Sequence, residues 1–312
     1  MPSKFAPVLP LICIALLCAC EQSAPAKPAA SAASAQSAAA SSAAAPSTPA
    51  PAAASQSASA TSGAASQPDA QLLTLAQAAL GKDWRAELKG GLRELPAPDN
   101  RNEYSNYLLE ARAWVKLEDG QTILAMNSQP ADAEGKSSAG HVTPGALSLY
   151  WLKEEQGKWL LMHKEENLTE FGSFGELGNL RFVPLDDKRM ALAIEGGGTW
   201  QGYSITHLGL LEIQAKTARI LNKSLIPLSS DSEGACMPET ERCWSIQGEW
   251  KFLPGTGKEL PDLQLQFKGH ESSAAPQGSE ERKKRPQQGQ ATYRFGAKGY
   301  QLQSGKNIVP EI

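Results

Sequence analysis

The stretch that decides the fold class reads NYLLEARAWVKL-EDG-QTILAMN, residues 106–127. Two runs that alternate between apolar and polar side chains, 106–117 and 121–127, lie on either side of the turn-forming residues Glu118-Asp119-Gly120. A period of two is typical of a half-buried strand, and a short Asp-Gly connection is typical of a hairpin. The stretch therefore predicts two antiparallel neighbouring strands.

The same pattern continues towards the C-terminus. A second hairpin is predicted from LSLYWLK (147–153) and KWLLMHKE (158–165). Further strand-like runs occupy 189–196, 203–213, 218–228, 243–253, 262–269, 291–295 and 300–304. The short connections between runs favour antiparallel pairing, because parallel strands need long crossovers. We expect an all-β antiparallel meander, forming a sandwich or barrel of about ten to twelve strands. A propeller is the alternative, although no repeat of that period is visible.

One short helix is predicted before the strands. Asp69 is suited to cap its N-terminus, residues 70–80 place apolar side chains on one side, and Gly81 is a natural C-terminal stop. From about residue 69 to residue 312 we therefore expect one all-β domain that begins with a helix, including a mobile polar loop around 270–290.

The N-terminus carries an export signal. Lys4 precedes an uncharged apolar run, 5–17, which has the length of a signal-peptide core and is too short to span a bilayer. The residues Leu17-Cys18-Ala19-Cys20 resemble the lipobox of bacterial lipoproteins. The alternatives are an ordinary secretory signal cut near Ala24-Pro25-Ala26 and an uncleaved anchor.

The resemblance implies a processing route and an address. Residues 1–19 would be removed as a signal peptide, and Cys20 would carry the lipid that attaches the protein to the membrane. Residues 20–68 consist almost entirely of Ala, Ser and Pro, a composition that cannot form a core and predicts a disordered tether. We expect the protein in the bacterial cell envelope, at the outer membrane, with its domain in the periplasm or at the cell surface.

Two cysteines remain in the domain, Cys236 and Cys243. An exported chain folds in an oxidising compartment, so the pair predicts a disulfide. Metal binding and a redox pair are the alternatives, but no second pair or nearby histidine supports them.

Charge and motifs exclude several function classes. The formal net charge of the whole chain is −3, and removing residues 1–19 takes away Lys4, which gives −3 − 1 = −4. This acidity gives no reason to expect nucleic acid as a partner. The four histidines lack metal-ligand spacing, and no nucleotide-binding or hydrolase motif is present, so we predict no cofactor, no metal and no catalytic residues.

The segment around residue 200 is the candidate for ligand contact. Three consecutive glycines before aromatic and amide side chains predict a loop that could approach sugar rings or peptide edges. The candidate ligand surface comprises Glu195, Gly196, Gly197, Gly198, Trp200, Gln201 and Tyr203. The competing interpretation is that the glycines shape a tight turn or bulge and that Trp200 belongs to the core.

We therefore expect a lipid-anchored protein whose β domain binds an envelope protein or glycan without catalysing a reaction. The alternative function is a glycan-active hydrolase that uses acidic residues near 195–203. In that case Glu195 and either Glu165 or Glu166 would form the catalytic pair.

Overall fold

The structure is a computed structural model, and it describes residues 70–254, 259–279 and 281–312. The predicted signal peptide, Cys20 and the tether lie outside these residues. The chain folds mainly into antiparallel β-strands with one short helix at the start of the domain, as predicted. None of the helices in these ranges has the length and hydrophobicity needed to cross a membrane.

The first sheet follows helix α1 (Ala70–Leu80) and a 3₁₀ turn at Gly81–Asp83. Its strands are β1 (Trp84–Arg85), β2 (Gly90–Pro96), β3 (Tyr104–Lys116), β4 (Gln121–Pro130), β5 (Gly145–Glu155), β6 (Lys158–Glu165) and β7 (Glu170–Phe171). Strands β1 to β6 pair in chain order, and β7 pairs with the beginning of β5. The sheet is therefore the meander that residues 106–127 indicate.

The second sheet contains the rest of the chain. Its strands are β8 (Asn179–Pro184), β9 (Met190–Trp200), β10 (Tyr203–Ile213), β11 (Ala218–Ile220), β12 (Ile226–Asp231), β13 (Arg242–Phe252), β14 (Leu263–Ser273), β15 (Lys284–Gly296) and β16 (Gly299–Gly305). The pairing order is β16-β15-β14-β13-β12-β10-β9-β8, and β11 pairs with the second half of β10.

The two sheets and the helix form layers. On one face of the first sheet, Leu75 and Leu80 of α1 pack with Leu124 and Tyr150. The opposite face carries Trp151 and other apolar side chains that pack against β9 and β10 of the second sheet. Because β4 and β5 are covered on both faces, their apolar side chains no longer alternate with exposed ones.

The second sheet curves into a closed barrel around a core of its own. Strand β10 pairs with β12 along its first half and with β11 along its second half. Asn222, just after β11, forms a bridge to Gly299 at the start of β16, and the Tyr300 amide donates to the Leu221 carbonyl at 2.8 Å. The pairings therefore return from β16 to β10 through β11.

The side chain of Asn222 makes this closure possible. Its Oδ1 accepts a hydrogen bond from the Leu210 amide at 2.7 Å, and its Nδ2 donates to the Leu208 carbonyl at 2.9 Å. These backbone groups of β10 lie where β12 ends and β11 begins. Asn222 is 2% exposed, so it satisfies two buried groups that no strand reaches.

The strand boundaries differ from the prediction in three respects. Four strands were not predicted (β1, β2, β7 and β8), and the run 218–228 divides into β11 and β12. The predicted loop at 270–290 is shorter, because β14 continues to Ser273 and β15 begins at Lys284. Both ends of that hairpin carry mainly polar, partly exposed side chains, so the apolar half of the period-two pattern is missing there.

The predicted disulfide is present. Cys236 and Cys243 are joined, with their Cα atoms 6.1 Å apart, and the bond closes the connection between β12 and β13. Arg282 donates to the carbonyl of Met237 in this connection at 2.8 Å and to the carbonyl of Ser272 at 3.2 Å. The closed loop is thereby held against the end of β14.

The role of Asn222 generates the first prediction. Asn222→Ala should lower the free energy of unfolding by about 3 kcal/mol, because it leaves a buried amide and a buried carbonyl of β10 without partners. Denaturant unfolding of the full chain measures the change. Asn102→Ala, at an exposed position, should change stability by less than about 0.5 kcal/mol. Equal effects of the two substitutions would show that Asn222 does not hold the barrel closed.

Candidate functional site

The predicted loop at 195–203 is a β-hairpin. Gly196, Gly197 and Gly198 lie within β9, and the chain reverses through the two residues Gln201 and Gly202. Both have positive φ, 51° and 86°, which is the backbone that a tight two-residue hairpin turn requires. A run of glycines indicates a loop from sequence, but here the turn lies after the glycines.

The glycines allow two chain segments to lie unusually close together. A Cβ at Gly196 would lie 2.1 Å from the Leu177 carbonyl oxygen, and one at Gly198 would lie 2.5 Å from the Trp200 ring. Ser173 Oγ would be 3.1 Å from the same added atom at Gly198. The missing side chains therefore allow the segment 171–178 and the Trp200 indole to pack directly on β9.

The segment 171–178 is fixed by several hydrogen bonds. Ser173 Oγ donates to the Gly197 carbonyl at 2.8 Å. The buried Asn127 donates to the Gly175 carbonyl at 2.8 Å and accepts from the Leu177 amide at 3.0 Å. The Phe171 side chain enters the core between the sheets. This connection is therefore held at both ends and in the middle.

Phe174 is the most unusual residue of this segment. Its φ is +55°, a left-handed conformation that is uncommon for a bulky side chain, yet its side chain is 58% exposed. Its ring centroid lies 6.2 Å from that of His141, and the neighbouring Val142 is 65% exposed. The fold therefore exposes an aromatic ring to solvent, although the left-handed conformation of its backbone costs free energy.

Further aromatic side chains lie at the hairpin against which the segment 171–178 packs. Trp200 and Tyr203 are directly opposite each other beside the turn, and the Tyr203 ring lies 5.9 Å from that of Trp244. Arg242 lies over the Trp244 ring at 5.5 Å. We call the following residues the aromatic end: His141, Val142, Phe174, Trp200, Tyr203 and Trp244.

A cavity of about 430 Å³ adjoins the aromatic end. It is lined by Trp200, Ile205, His207, Glu311 and Ile312. Burial lowers the pKa of His207, and nearby Glu311 opposes this shift without cancelling it. The imidazole is therefore neutral at pH 7, and the lining is mainly apolar.

A larger cleft lies away from the aromatic end. It measures about 910 Å³ and is lined by residues 116–119, 184–190, 212–215 and 252–254, around the ends of several hairpins. Charges of both signs line it, including Asp187 and Lys188. It contains none of the side chains that the sequence singles out.

The three carboxylates of the predicted hydrolase alternative have separate partners. Glu195 accepts hydrogen bonds from Arg181 at 2.9 Å and from the Trp250 indole at 2.7 Å. Glu165 accepts from the Thr217 hydroxyl and from the Ala218 amide. These contacts hold both groups in the framework of the second sheet and its junction with β6.

Glu166 belongs to a charged network on the helix side of the first sheet. It pairs with Arg93 and with Lys164, and it accepts a hydrogen bond from the Tyr150 hydroxyl at 2.7 Å. Burial raises the pKa of Tyr150, and the adjacent Glu166 raises it further. No contact within the described ranges joins Glu195 to Glu165 or Glu166, and no group there of three or more His, Cys, Asp or Glu could hold a metal.

The sequence predicts two of the six residues of the aromatic end. It singled out Trp200 and Tyr203, and the structure places them next to each other at the hairpin turn. It missed Phe174, His141, Val142 and Trp244. The signal for Phe174 is the pattern FGSFG (171–175), whose glycines both have positive φ and so turn the chain sharply on each side of Ser173-Phe174.

Comparison with known proteins does not add a function. No protein-family model matches the chain, and neither a curated protein nor a solved structure matches it.

The strain at Phe174 generates the second prediction. Phe174→Gly should raise the free energy of unfolding by about 0.5 kcal/mol, since relief of the left-handed backbone exceeds the entropy cost of glycine. Phe171→Ala, in the same motif but in the core, should lower it by about 3 to 5 kcal/mol. Denaturant unfolding measures both. A large loss of stability in Phe174→Gly would mean that its ring is needed for packing.

Proposed function

We propose that this protein is a lipid-anchored component of the cell envelope whose β domain binds an envelope protein or glycan through the aromatic end, without catalysis. The observation that carries the binding site is Phe174, which is exposed although its backbone is left-handed. Strained backbone persists where the surrounding structure enforces it, and such residues cluster at ligand sites.

The hydrogen bonds around Phe174 support a role for its ring. Asn127, Ser173 and Gly175 fix the segment, although an exposed Phe174 side chain adds little to the core. A flexible polar loop would connect β7 and β8 at less cost in free energy. A rigid segment that presents an aromatic ring is suited to binding, because little side-chain entropy is lost when the ligand arrives.

The composition of the aromatic end suits a sugar ring or a peptide. Trp and Tyr offer a flat apolar face together with a hydrogen-bonding edge, and they are enriched among residues that dominate binding free energy. The adjoining cavity of about 430 Å³ offers room for one apolar group beside Trp200.

The polar groups nearby favour binding over catalysis. Ser173, the hydroxyl closest to Phe174 in the chain, donates its hydrogen bond to the Gly197 carbonyl, so its proton is not directed at a base. Glu195 is engaged by Arg181 and Trp250. These side chains stabilise the hairpin on which the aromatic rings stand.

The anchor is supported by the sequence. The lipobox-like residues Leu17-Cys18-Ala19-Cys20 provide an acylation site, and 20–68 provide a tether. A coil of this length has a root-mean-square reach of roughly 40 Å. The aromatic end could then contact partners well away from the membrane surface.

The anchor generates the third prediction. Protein extracted from its native membrane should have Cys20 as its first residue and carry the mass of acyl chains, and Cys20→Ala should lack that mass. Intact mass spectrometry measures both forms. An unacylated N-terminus further along the chain, for example at Lys27, would refute the anchor and leave the binding site to be judged separately.

Binding generates the fourth prediction. A photo-reactive amino acid at position 174 of the full chain should form adducts in intact cells, and Trp200→Ala should reduce their yield at least about tenfold. The matched control is the same amino acid at Leu302, which is 51% exposed on β16. Mass analysis of the adducts distinguishes a protein from a glycan.

Two results would contradict the proposed binding site. Equal adduct patterns at positions 174 and 302 would show that the cross-links are nonspecific. Adducts at position 174 that persist unchanged in Trp200→Ala would show that Trp200 does not share the site with Phe174.

A further inference from the structure

The edge of the first sheet has an apolar surface that differs from the aromatic end. Among the strands of the described ranges, β6 pairs with β5 alone, so its other edge carries unpaired backbone groups. Leu160, Leu161 and Met162 are adjacent on this edge and are 43%, 40% and 56% exposed. Natural edge strands usually avoid such a run, because it favours pairing with another strand.

The apolar side chains of β6 lie on both faces of the sheet. Leu161 is opposite Leu152 of the helix-side cluster, so it lies on the helix side. Leu160 is opposite Lys153 and therefore lies on the other side, towards the second sheet. Apolar residues on both faces are typical of a strand that is covered on both faces, and here they flank an edge that pairs with no strand of the described ranges.

A β-bulge sets the direction of each side chain. The register with β5 shifts between Trp151 and Leu152, which leaves Met162 as the extra residue of β6. Trp159, Leu161 and Lys164 therefore lie on the helix side. Lys158, Leu160, His163 and Glu165 lie on the side of the second sheet.

We propose that β6 pairs with β6 of a second copy of this chain, antiparallel across a twofold axis perpendicular to the sheet. Such an axis keeps each side chain on its own face, so opposite residues must come from the same side. The register that places the axis between Leu161 and Met162 satisfies this condition for residues 158–160 opposite 163–165. It also places Leu160 opposite His163 of the partner subunit, both on the side of the second sheet.

Charge complementarity selects this register. Lys158 lies opposite Glu165 of the partner subunit on the same face, and the twofold axis repeats the pair at the other end. Trp159 lies opposite Lys164 of the partner subunit on the helix side, where a cation can contact the indole ring. Cross-strand pairs of opposite charge stabilise a sheet. A register shifted by one residue would lose these pairs, because it places opposite residues on different faces.

Sedimentation of the full chain in detergent tests the proposal. The protein should sediment as a dimer at micromolar concentration. Leu161→Lys should raise the dimer dissociation constant by roughly a hundredfold, because the twofold axis places two unpaired charges at the centre of the interface. The matched control is Leu302→Lys, on β16 of the other sheet, which should leave the dimer intact.

Disulfide cross-linking tests the register separately. Chains that carry Leu160→Cys, mixed with chains that carry His163→Cys, should form a covalent dimer on oxidation, with the bond between positions 160 and 163. Each variant alone should form no bond at its own new position, since the axis separates like residues by several positions. Peptide mass spectrometry identifies the bond and checks that Cys236 and Cys243 are still joined to each other, so that neither takes part in the cross-link.

Three results would overturn the proposal. They are a full chain that stays monomeric, a dimer that Leu161→Lys does not weaken, and a cross-link that forms as readily in either single variant as in the mixture. These results leave the aromatic end untouched, because its adducts are measured at position 174.

Discussion

The hydrogen bonds of Asn222 to β10 are the constraint on which the architecture depends. A strand has two edges, and β10 uses one of them for β9 along its whole length. The other edge is divided between β12 and β11, and the gap between them would leave a buried amide and a buried carbonyl unsatisfied. Asn222 fills that gap, so one strand can pair with three neighbours.

Because β10 pairs with three strands, the second sheet has two structural roles. Beyond the branch, β11 and β16 close the barrel around its own core, while β8 and β9 extend from it and cover the first sheet. The end of β9 projects past this contact, where the segment 171–178 packs against it. The first sheet is covered by β8 and β9 on one side of this point and by the connection between β7 and β8 on the other. The aromatic end forms at this border.

The sequence predicts the regular parts of this fold and misses the parts that depend on tertiary contact. Residues 106–127 predict their hairpin correctly, because the alternation of apolar and polar side chains can be recognised from neighbouring residues alone. Gly196–Gly198 mislead, since glycine has low strand propensity. Their presence in β9 is explained by the close approach of Leu177 to Gly196, of Ile205 to Gly197 and of the Trp200 ring to Gly198. The pattern FGSFG indicates a turn at Phe174, but it does not indicate that the ring is held in solvent. That depends on hydrogen bonds of its neighbours Gly175 and Ser173 to Asn127 and Gly197, which lie far away in the chain.

The proposed tether and the proposed pairing of β6 are energetically compatible. The edge of β6 is short, and in dilute solution a pairing of this size must overcome the full loss of translational and rotational freedom. Two domains attached to the same membrane by flexible tethers have already lost part of that freedom, because both are confined to the layer that the tethers can reach. Lys158 and Glu165 would then favour one register over others at little cost in solubility. The proposed anchor would therefore strengthen a dimer that already forms at micromolar concentration, and this dimer would present two aromatic ends to a multivalent protein or glycan.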